Sequence, residues 1–436
     1  MTEQMNAYNE RQNYNLETVN AEKAVVVGVN INNNPLYENS MTELENLAIA
    51  CQIQCVARVE QNLKRATTQY YVGSGKVDEI RMGVEAFDAD LVIFNHELTP
   101  SQMRNLEKAL SVRIVDRTNL ILEIFERRAQ TREAKLQVEA AHLKYLLPRL
   151  IGSYEALGRQ SGGVGTKNKG VGEKKLELDR RKVEQKIHDL NREIDQVEKE
   201  RITQRKKRAD SRVKGVALVG YTNAGKSTLM NAMLDLYSQK KEKKVFEKDM
   251  LFATLETSVR QMKLPDKKTF TLSDTVGFVS ELPHDLVKAF RATLEEVKQA
   301  DLLLHVVDLS NSDYKHQMKV TMDTLNEIDA NEVPMLTIYN KADISSVNLN
   351  ELADGIVVSA KTSLGIEQLV DAVKAHIFKD FIDCEVRIPI DDGKLFAFIN
   401  ENAGVYEMRF EENTTILLIS CSPEVYEKIK MYRSDN

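Results

Sequence analysis

Val216-Ala217-Leu218-Val219 runs straight into Gly220-Tyr221-Thr222-Asn223-Ala224-Gly225-Lys226-Ser227, and from Thr228 onward the chain reads as a helix. A short apolar strand, a GxxxxGKS loop and a helix start are the context in which such a loop cradles phosphates. Its glycines let consecutive backbone N–H groups wrap an anion at a helix N-terminus, where the dipole favours negative charge. Lys226 is placed to reach the β and γ phosphates, and the Ser227 hydroxyl to ligate Mg²⁺. The expected nucleotide cradle is therefore Gly220 to Thr228. The pattern alone also arises by accident, so the stretches downstream decide.

Asp274-Thr275-Val276-Gly277 follows the extended run Thr269 to Ser273. That puts an acid at a strand end, where it can hold the Mg²⁺ shell, and a glycine N–H where it can meet a γ-phosphate. Asn340-Lys341-Ala342-Asp343 closes a second apolar strand, Met335 to Tyr339. The Asp343 carboxylate can accept from N1–H and the 2-amino group of guanine, two donors that adenine lacks, so a buried carboxylate there selects GTP over ATP. Asn340 is expected to brace the loop, Lys341 to pack along the base, and the Ala360 N–H in Ser359-Ala360-Lys361 to meet guanine O6. In Leu251-Phe252-Ala253-Thr254-Leu255, Thr254 is the candidate to close over Mg²⁺ and the γ-phosphate; an ordinary strand threonine is the other reading. The expected catalytic set is Lys226, Thr254 and Gly277, and the expected metal set is Ser227, Thr254 and Asp274. Order and spacing together resemble a translation-factor-related GTPase.

Phe278 follows Gly277 where Ras-like proteins place the glutamine that orients water, and a phenyl ring cannot do so by hydrogen bonding. Turnover is therefore expected to be slow until a partner, a reordered switch or a cation completes the site. Asn223 resembles the P-loop asparagines that ligate K⁺ beside the phosphates; a purely structural loop asparagine is the alternative. His284 and Lys288 are read as structural.

Outward from this core, 436 residues imply two to four domains, and 42% hydrophobic content supports real cores. The apolar runs Leu302 to Val307 and Leu91 to Phe94 fall far short of the ~20 residues that span a bilayer, so no membrane span is expected. The polar first twenty residues read as a disordered tail, and the chain as cytosolic. Cys51, Cys55, Cys384 and Cys421 lack metal or disulfide spacing and read as reduced thiols.

Residues 21–125 alternate strand and helix: strands at Ala24 to Val29, Gln54 to Val59, Leu91 to Phe94 and Val112 to Val115, with helices between them. This predicts a largely parallel sheet. Gly73-Ser74-Gly75-Lys76 there reads as a helix entry rather than a second nucleotide site. Beyond it, Leu136, Ala140, Leu143, Leu147 and Leu150 recur at heptad spacing, as do Leu176, Val183, Ile187, Leu190, Ile194 and Val197. Two seams predict one antiparallel helical hairpin within 126–212, each arm reaching on the order of 45 Å.

Its tip, Gly158 to Gly172, reads GRQSGGVGTKNKGVG, a glycine-rich loop whose only charges are Arg159, Lys167 and Lys169. Such a loop could enter a narrow RNA cleft, or simply join two helices; the RNA contacts expected are Gly162, Gly163, Lys167, Lys169 and Lys174. From Arg159 to Lys214 there are 18 Lys or Arg against 10 Asp or Glu, a net +8 in a chain whose net charge is −6, leaving −14 for the rest. One basic arm on an acidic body fits a phosphate backbone at a single place, or else a solvated helix, as does Arg205-Lys206-Lys207-Arg208. The GTPase domain is expected at 213–380. Residues 381–436 read as a small α+β domain without evident chemistry, so the fold class is multidomain α/β.

The resemblance extends beyond the P-loop. Val115-Asp116-Arg117-Thr118, Arg128 to Val138 (RAQTREAKLQV), Pro148-Arg149-Leu150, Gly220 to Ser227, Leu251 to Leu255, Asp274 to Phe278 and Leu282 to Val287 (LPHDLV) together resemble the HflX ribosome-associated GTPases. The resemblance implies a monomer that uses GTP, with Mg²⁺, to bind the large ribosomal subunit near the peptidyl-transferase centre through the tip loop and to split or rescue stalled ribosomes under stress. DNA is not an expected partner. The tip departs from the family's GGxGTRGPGE: Gly162 to Glu173 reads GGVGTKNKGVGE, two residues longer and without the proline. A GTPase of ribosome assembly or of another RNA such as tRNA is the competing class, and a nucleotide-gated scaffold a third.

Overall fold

Apolar, β-branched runs build the centre of each layer in the computed structural model, which describes residues 21–434 apart from 161–168, 210–212, 238–250, 253–256, 267, 281–295, 349–351, 353 and 412. The expected tail 1–20, His284, Lys288 and the stretch Ala253 to Leu255 lie outside the described residues. The chain divides into two compact units. One comprises Met1–Thr203, Lys248–Glu256 and Val279–Ala292; the other comprises Gln204–Glu247, Thr257–Phe278 and Thr293–Asn436.

In the first unit, β1 (Lys23–Ile31), β2 (Gln54–Leu63), β3 (Leu91–Phe94) and β4 (Arg113–Asp116) form a parallel sheet in the order β2-β1-β3-β4. The central strands β1 and β3 are buried almost throughout, whereas the edge strand β2 alternates buried and more exposed positions; α1 (Tyr37–Ala50), α2 (Ser74–Phe87) and α3 (Pro100–Leu110) occupy the connections. Gly73 caps α2, and Lys76 pairs with Glu79 at 2.6 Å, so the GSGK stretch is a helix entry. α4 (Arg117–Arg128) starts on Asp116, whose side chain accepts from Asn119 N at 2.9 Å.

Two long helices follow, α5 (Arg132–Gln160) and α6 (Lys169–Ala209). Arg132 pairs with Glu193 at 3.0 Å and Lys186 with Glu139. Moving seven residues up one helix moves the partner seven down the other, so the two run antiparallel in constant register. Gly158 to Gln160 and Lys169 to Gly172, expected in the tip loop, are helical. A helical glycine costs only about 1 kcal/mol, which a long helix absorbs. Gly162, Gly163 and Lys167 lie outside the described residues, whereas Lys169 opens α6 and Lys174 follows in its second turn.

The second unit carries the order β10-β9-β8-β5-β7-β6, built from β5 (Lys214–Val219), β6 (Ser258–Lys263), β7 (Thr269–Asp274), β8 (Leu302–Asp308), β9 (Met335–Asn340) and β10 (Ile356–Val357). Only β6 is antiparallel. Helices α7 (Lys226–Tyr237), α8 (Tyr314–Glu327) and α9 (Ile366–Ile377) cover the sheet. A separate antiparallel sheet, β11 (Ile382–Pro389), β13 (Thr414–Cys421) and β12 (Ala403–Glu411), packs its inner face on α10 (Gly393–Asn402) and α11 (Pro423–Ile429). All four cysteines are free and buried. Among the described residues, no helix is long and apolar enough to cross a membrane.

Candidate functional site

Parallel strands bring their C-terminal ends to one edge, and register fixes which residues meet there. Leu218 of β5 stands opposite Asp274 of β7, Val219 opposite His305 of β8, and Asp308 of β8 opposite Asn340 of β9. The loop from Gly220 to Gly225 joins β5 to α7 at that edge, as such folds place their ligand sites.

Gly225 has φ +88, and a methyl group there would come within 2.3 Å of Asn340 Nδ2. The crowding has a purpose, because Asn340 Nδ2 donates to Ala224 O at 2.9 Å while its Oδ1 accepts from Ala360 N at 3.0 Å. One buried amide thus clamps the Gly220–Gly225 loop to the loop carrying Ala360. The Ala360 N–H, expected at guanine O6, is given to Asn340 here. Asp343 Oδ1 accepts from Ser359 Oγ at 2.7 Å, which aims the carboxylate, and Ala342 N donates to Val358 O at 3.2 Å. Lys341, at φ +62, pairs with Asp308 at 2.7 Å. Lys361 is exposed.

On the phosphate side, Ser227 Oγ donates to Asp274 Oδ2 at 2.6 Å. Lys226 is buried, and its ammonium donates to the carbonyls of Gly220 at 3.1 Å and Tyr221 at 2.8 Å. Burial pushes its pKa down to about 8, with Asp274 opposing the shift. A methyl group at Gly277 would lie 2.6 Å from Thr222 Cα and 3.0 Å from Lys226 Nζ, so only glycine allows this approach. Thr275 Oγ1 donates to Leu218 O at 2.6 Å, Val276 is buried, and Phe278, also buried, accepts from Thr222 N at 2.7 Å and donates to Gly220 O at 3.1 Å. Asn223 is exposed at φ +60, and Thr228 lies in the first turn of α7.

Phe252, expected beside the nucleotide, is 2% exposed and packs edge to face on Phe125, ring centroids 4.7 Å apart, both residues belonging to the first compact unit. His305 and Asp308 escaped the reading of motifs. His305 is 1% exposed, and burial together with the Lys226 charge pushes its pKa down to about 4, so the ring is neutral under the P-loop. Both residues sit in LLLHVVD, where a His and an Asp interrupt a buried strand; that interruption was the available signal.

Family models match in three adjoining blocks: "GTP-binding GTPase N-terminal" over residues 38–126, "GTP-binding GTPase Middle Region" over 128–208, and "50S ribosome-binding GTPase" over 215–341. The GTPase HflX of Caldanaerobacter subterraneus subsp. tengcongensis is 40% identical over 413 residues, covering 94% of each chain. This chain belongs to the HflX GTPase family. The HflX of Escherichia coli K12 is 37% identical over 408 residues, 91% of this chain and 92% of that one. Among solved structures, a GTP-binding protein from Sulfolobus solfataricus in complex with GDP matches at 22% identity and TM-score 0.45, covering 82% of this chain and 99% of that one. The HflX chain described here is a GTP-hydrolysing enzyme that binds GTP and GDP.

Proposed function

We propose that this GTPase binds the large ribosomal subunit and uses GTP binding and hydrolysis to dissociate or rescue stalled ribosomes under stress. The observation that carries the ribosomal half is the antiparallel pair α5 and α6, 29 and 41 residues long and locked in one register by Arg132–Glu193 and Lys186–Glu139. At ~1.5 Å per residue the shorter helix alone extends on the order of 43 Å. Two such helices joined through a segment with Gly162, Gly163 and Lys167 in its sequence, with Lys169 and Lys174 at the start of α6, suit an RNA cleft, the lysines meeting phosphates. The description of the matched family model as 50S ribosome-binding supports the same partner. The working division is a tail to residue 20, an α/β domain 21–125, the helical hairpin 126–212, the GTPase domain 213–380 and the α+β domain 381–436.

In the hydrolytic half, Lys226 leaves the Gly220 and Tyr221 carbonyls to meet the β and γ phosphates, Asp343 reads the guanine edge, and the Gly277 N–H faces the γ-phosphate. Mg²⁺ fits the hard oxygen pair that Ser227 and Asp274 bring to 2.6 Å, with Thr254 completing the set. When bound, it neutralises charge on the β and γ oxygens. Phe278 leaves the attacking water without a side-chain partner, so hydrolysis waits on a partner or on a monovalent cation beside Asn223.

The test is the GTP turnover rate of the full chain with and without purified large subunits, in K⁺ and in Na⁺, repeated after deleting Gly162–Gly172. Stimulation that disappears with the deletion supports this function. An unchanged rate in both salts, with GTP still bound tightly, removes the ribosome as activator and favours another RNA.

A further inference from the structure

Helix α4 holds a residue from each of two later stretches that belong to its compact unit, Lys248–Glu256 and Val279–Ala292. From the first comes Phe252, packed edge to face on Phe125 with a backbone at φ +53. A bulky side chain adopts that left-handed conformation only where its surroundings enforce it. From the second comes Ser280, whose carbonyl accepts from Arg117 Nη2 at 3.2 Å.

Arg117 is 2% exposed and is oriented by its own domain before it meets Ser280. Nη1 donates to Asn95 Oδ1 at 3.0 Å, and Nη2 donates to Glu43 Oε1 at 2.8 Å, which compensates the buried charge. Asn95 is held in turn, its Nδ2 donating to Ser40 Oγ at 2.9 Å. The preceding residue, Asp116, is fully buried and accepts from Leu98 N, Asn119 N, Tyr145 Oη and Arg149 Nη2 at 2.8 to 3.1 Å. Tyr145 and Arg149 lie midway along α5, so the corner carrying Arg117 is bolted to the middle of that helix.

Ser280 follows Gly277 by three residues. Phe278 between them is fixed by its backbone to Gly220 and Thr222, leaving only buried Val279 between the two anchors. Since Phe278 offers no polar side chain, the placement of the Gly277 N–H depends on how firmly this short backbone is held. We infer that Arg117 is a positioning residue for GTP hydrolysis: its hydrogen bond to the Ser280 carbonyl holds the backbone carrying Gly277, and through Asp116 it makes the middle of α5 bear on that backbone.

The experiment measures single-turnover GTP hydrolysis, GTP and GDP affinity, and amide exchange over residues 276–282 for Arg117→Lys, without ribosomes. A lysine keeps the charge, but its donors sit on one compact nitrogen without the planar fork, so it cannot reach Asn95, Glu43 and Ser280 together. Hydrolysis falls about tenfold or more, both affinities stay within twofold, and exchange over 276–282 quickens. Arg58→Met removes another half-buried arginine of the same unit, paired with Glu38 at 2.8 Å, and leaves the rate unchanged. Should Arg117→Lys fail to fold, Glu43→Gln keeps the guanidinium with looser orientation and lowers the rate about threefold. A rate within twofold of wild type, a rate that rises, or an equal loss in Arg58→Met at matched stability overturns the role.

Discussion

Ser227 Oγ donates to Asp274 Oδ2 at 2.6 Å, although the two residues are 47 apart in sequence and sit on different elements. The hydroxyl opens the first turn of α7, and the carboxylate ends β7, brought alongside β5 by the pairing of Asp274 with Leu218. Two hard oxygens held at that distance act as one unit rather than as two independent donors.

Ser227→Ala and Asp274→Asn should therefore each lower kcat/KM for GTP by about a hundredfold, roughly 3 kcal/mol of transition-state stabilisation. The double variant should be hardly worse than either single one, because groups acting as a unit are non-additive. Rates across a Mg²⁺ titration check this, and multiplying effects would show that the contact has no shared role.

Lys226 sets a pH limit on nucleotide binding. Burial holds its pKa at about 8 with no phosphate present, and a bound polyphosphate raises it. Below pH 8 both states carry the proton and affinity is flat. Above it, binding must first restore the proton, so Kd for GDP should weaken by up to about tenfold per pH unit. Titrations between pH 7 and 9 would reveal the slope, and a flat profile would mean that the lysine stays charged without nucleotide.

Much of this site was legible because each motif joins a residue type to a strand end. Gly220 to Ser227, Asp274 to Gly277, Asn340 to Asp343 and Ser359 to Lys361 each follow an apolar run, and a parallel sheet gathers such ends at one edge. The heptad spacings of Leu136 to Leu150 and of Leu176 to Val197 likewise marked one long helix each. Other features left no periodic trace. Arg117 meets Ser280 across 163 positions, and Phe252 is claimed by Phe125, because long-range packing decides such contacts. Lys341, read as a platform for the base, is held by Asp308, a residue no motif contains. The glycines around the expected tip overstated the loop, since Gly158 lies in the last turn of α5 and Gly170 and Gly172 open α6 as helical residues.

Gly277→Ala should separate chemistry from binding. The added methyl group meets Thr222 backbone at 2.6 Å, which a flexible side chain cannot relieve, so the backbone carrying Gly277 must move. GTP hydrolysis should fall by more than about tenfold, whereas GDP, which has no γ-phosphate, should bind within a few-fold of wild type. Equal losses for both would mean that the glycine serves only the fold of the P-loop.

His305 should make the GTPase unit sensitive to acid. Its ring is neutral beneath the P-loop, with a pKa near 4 against 6.5 for the free side chain. Between those values the unfolded chain binds a proton that the folded one does not, so stability rises with pH across this window and is lost as pH falls from 6.5 toward 4. Two and a half pH units correspond to roughly 3 kcal/mol. His305→Leu fills the same strand position without a titrating group, and should unfold at nearly the same temperature at pH 5 and pH 7.5, once shifts common to both proteins are subtracted. Calorimetric scans of the full chain at the two pH values make the comparison. If wild type and variant lose stability in parallel, some other buried group governs the acid limit, and the neutral imidazole is simply filling space.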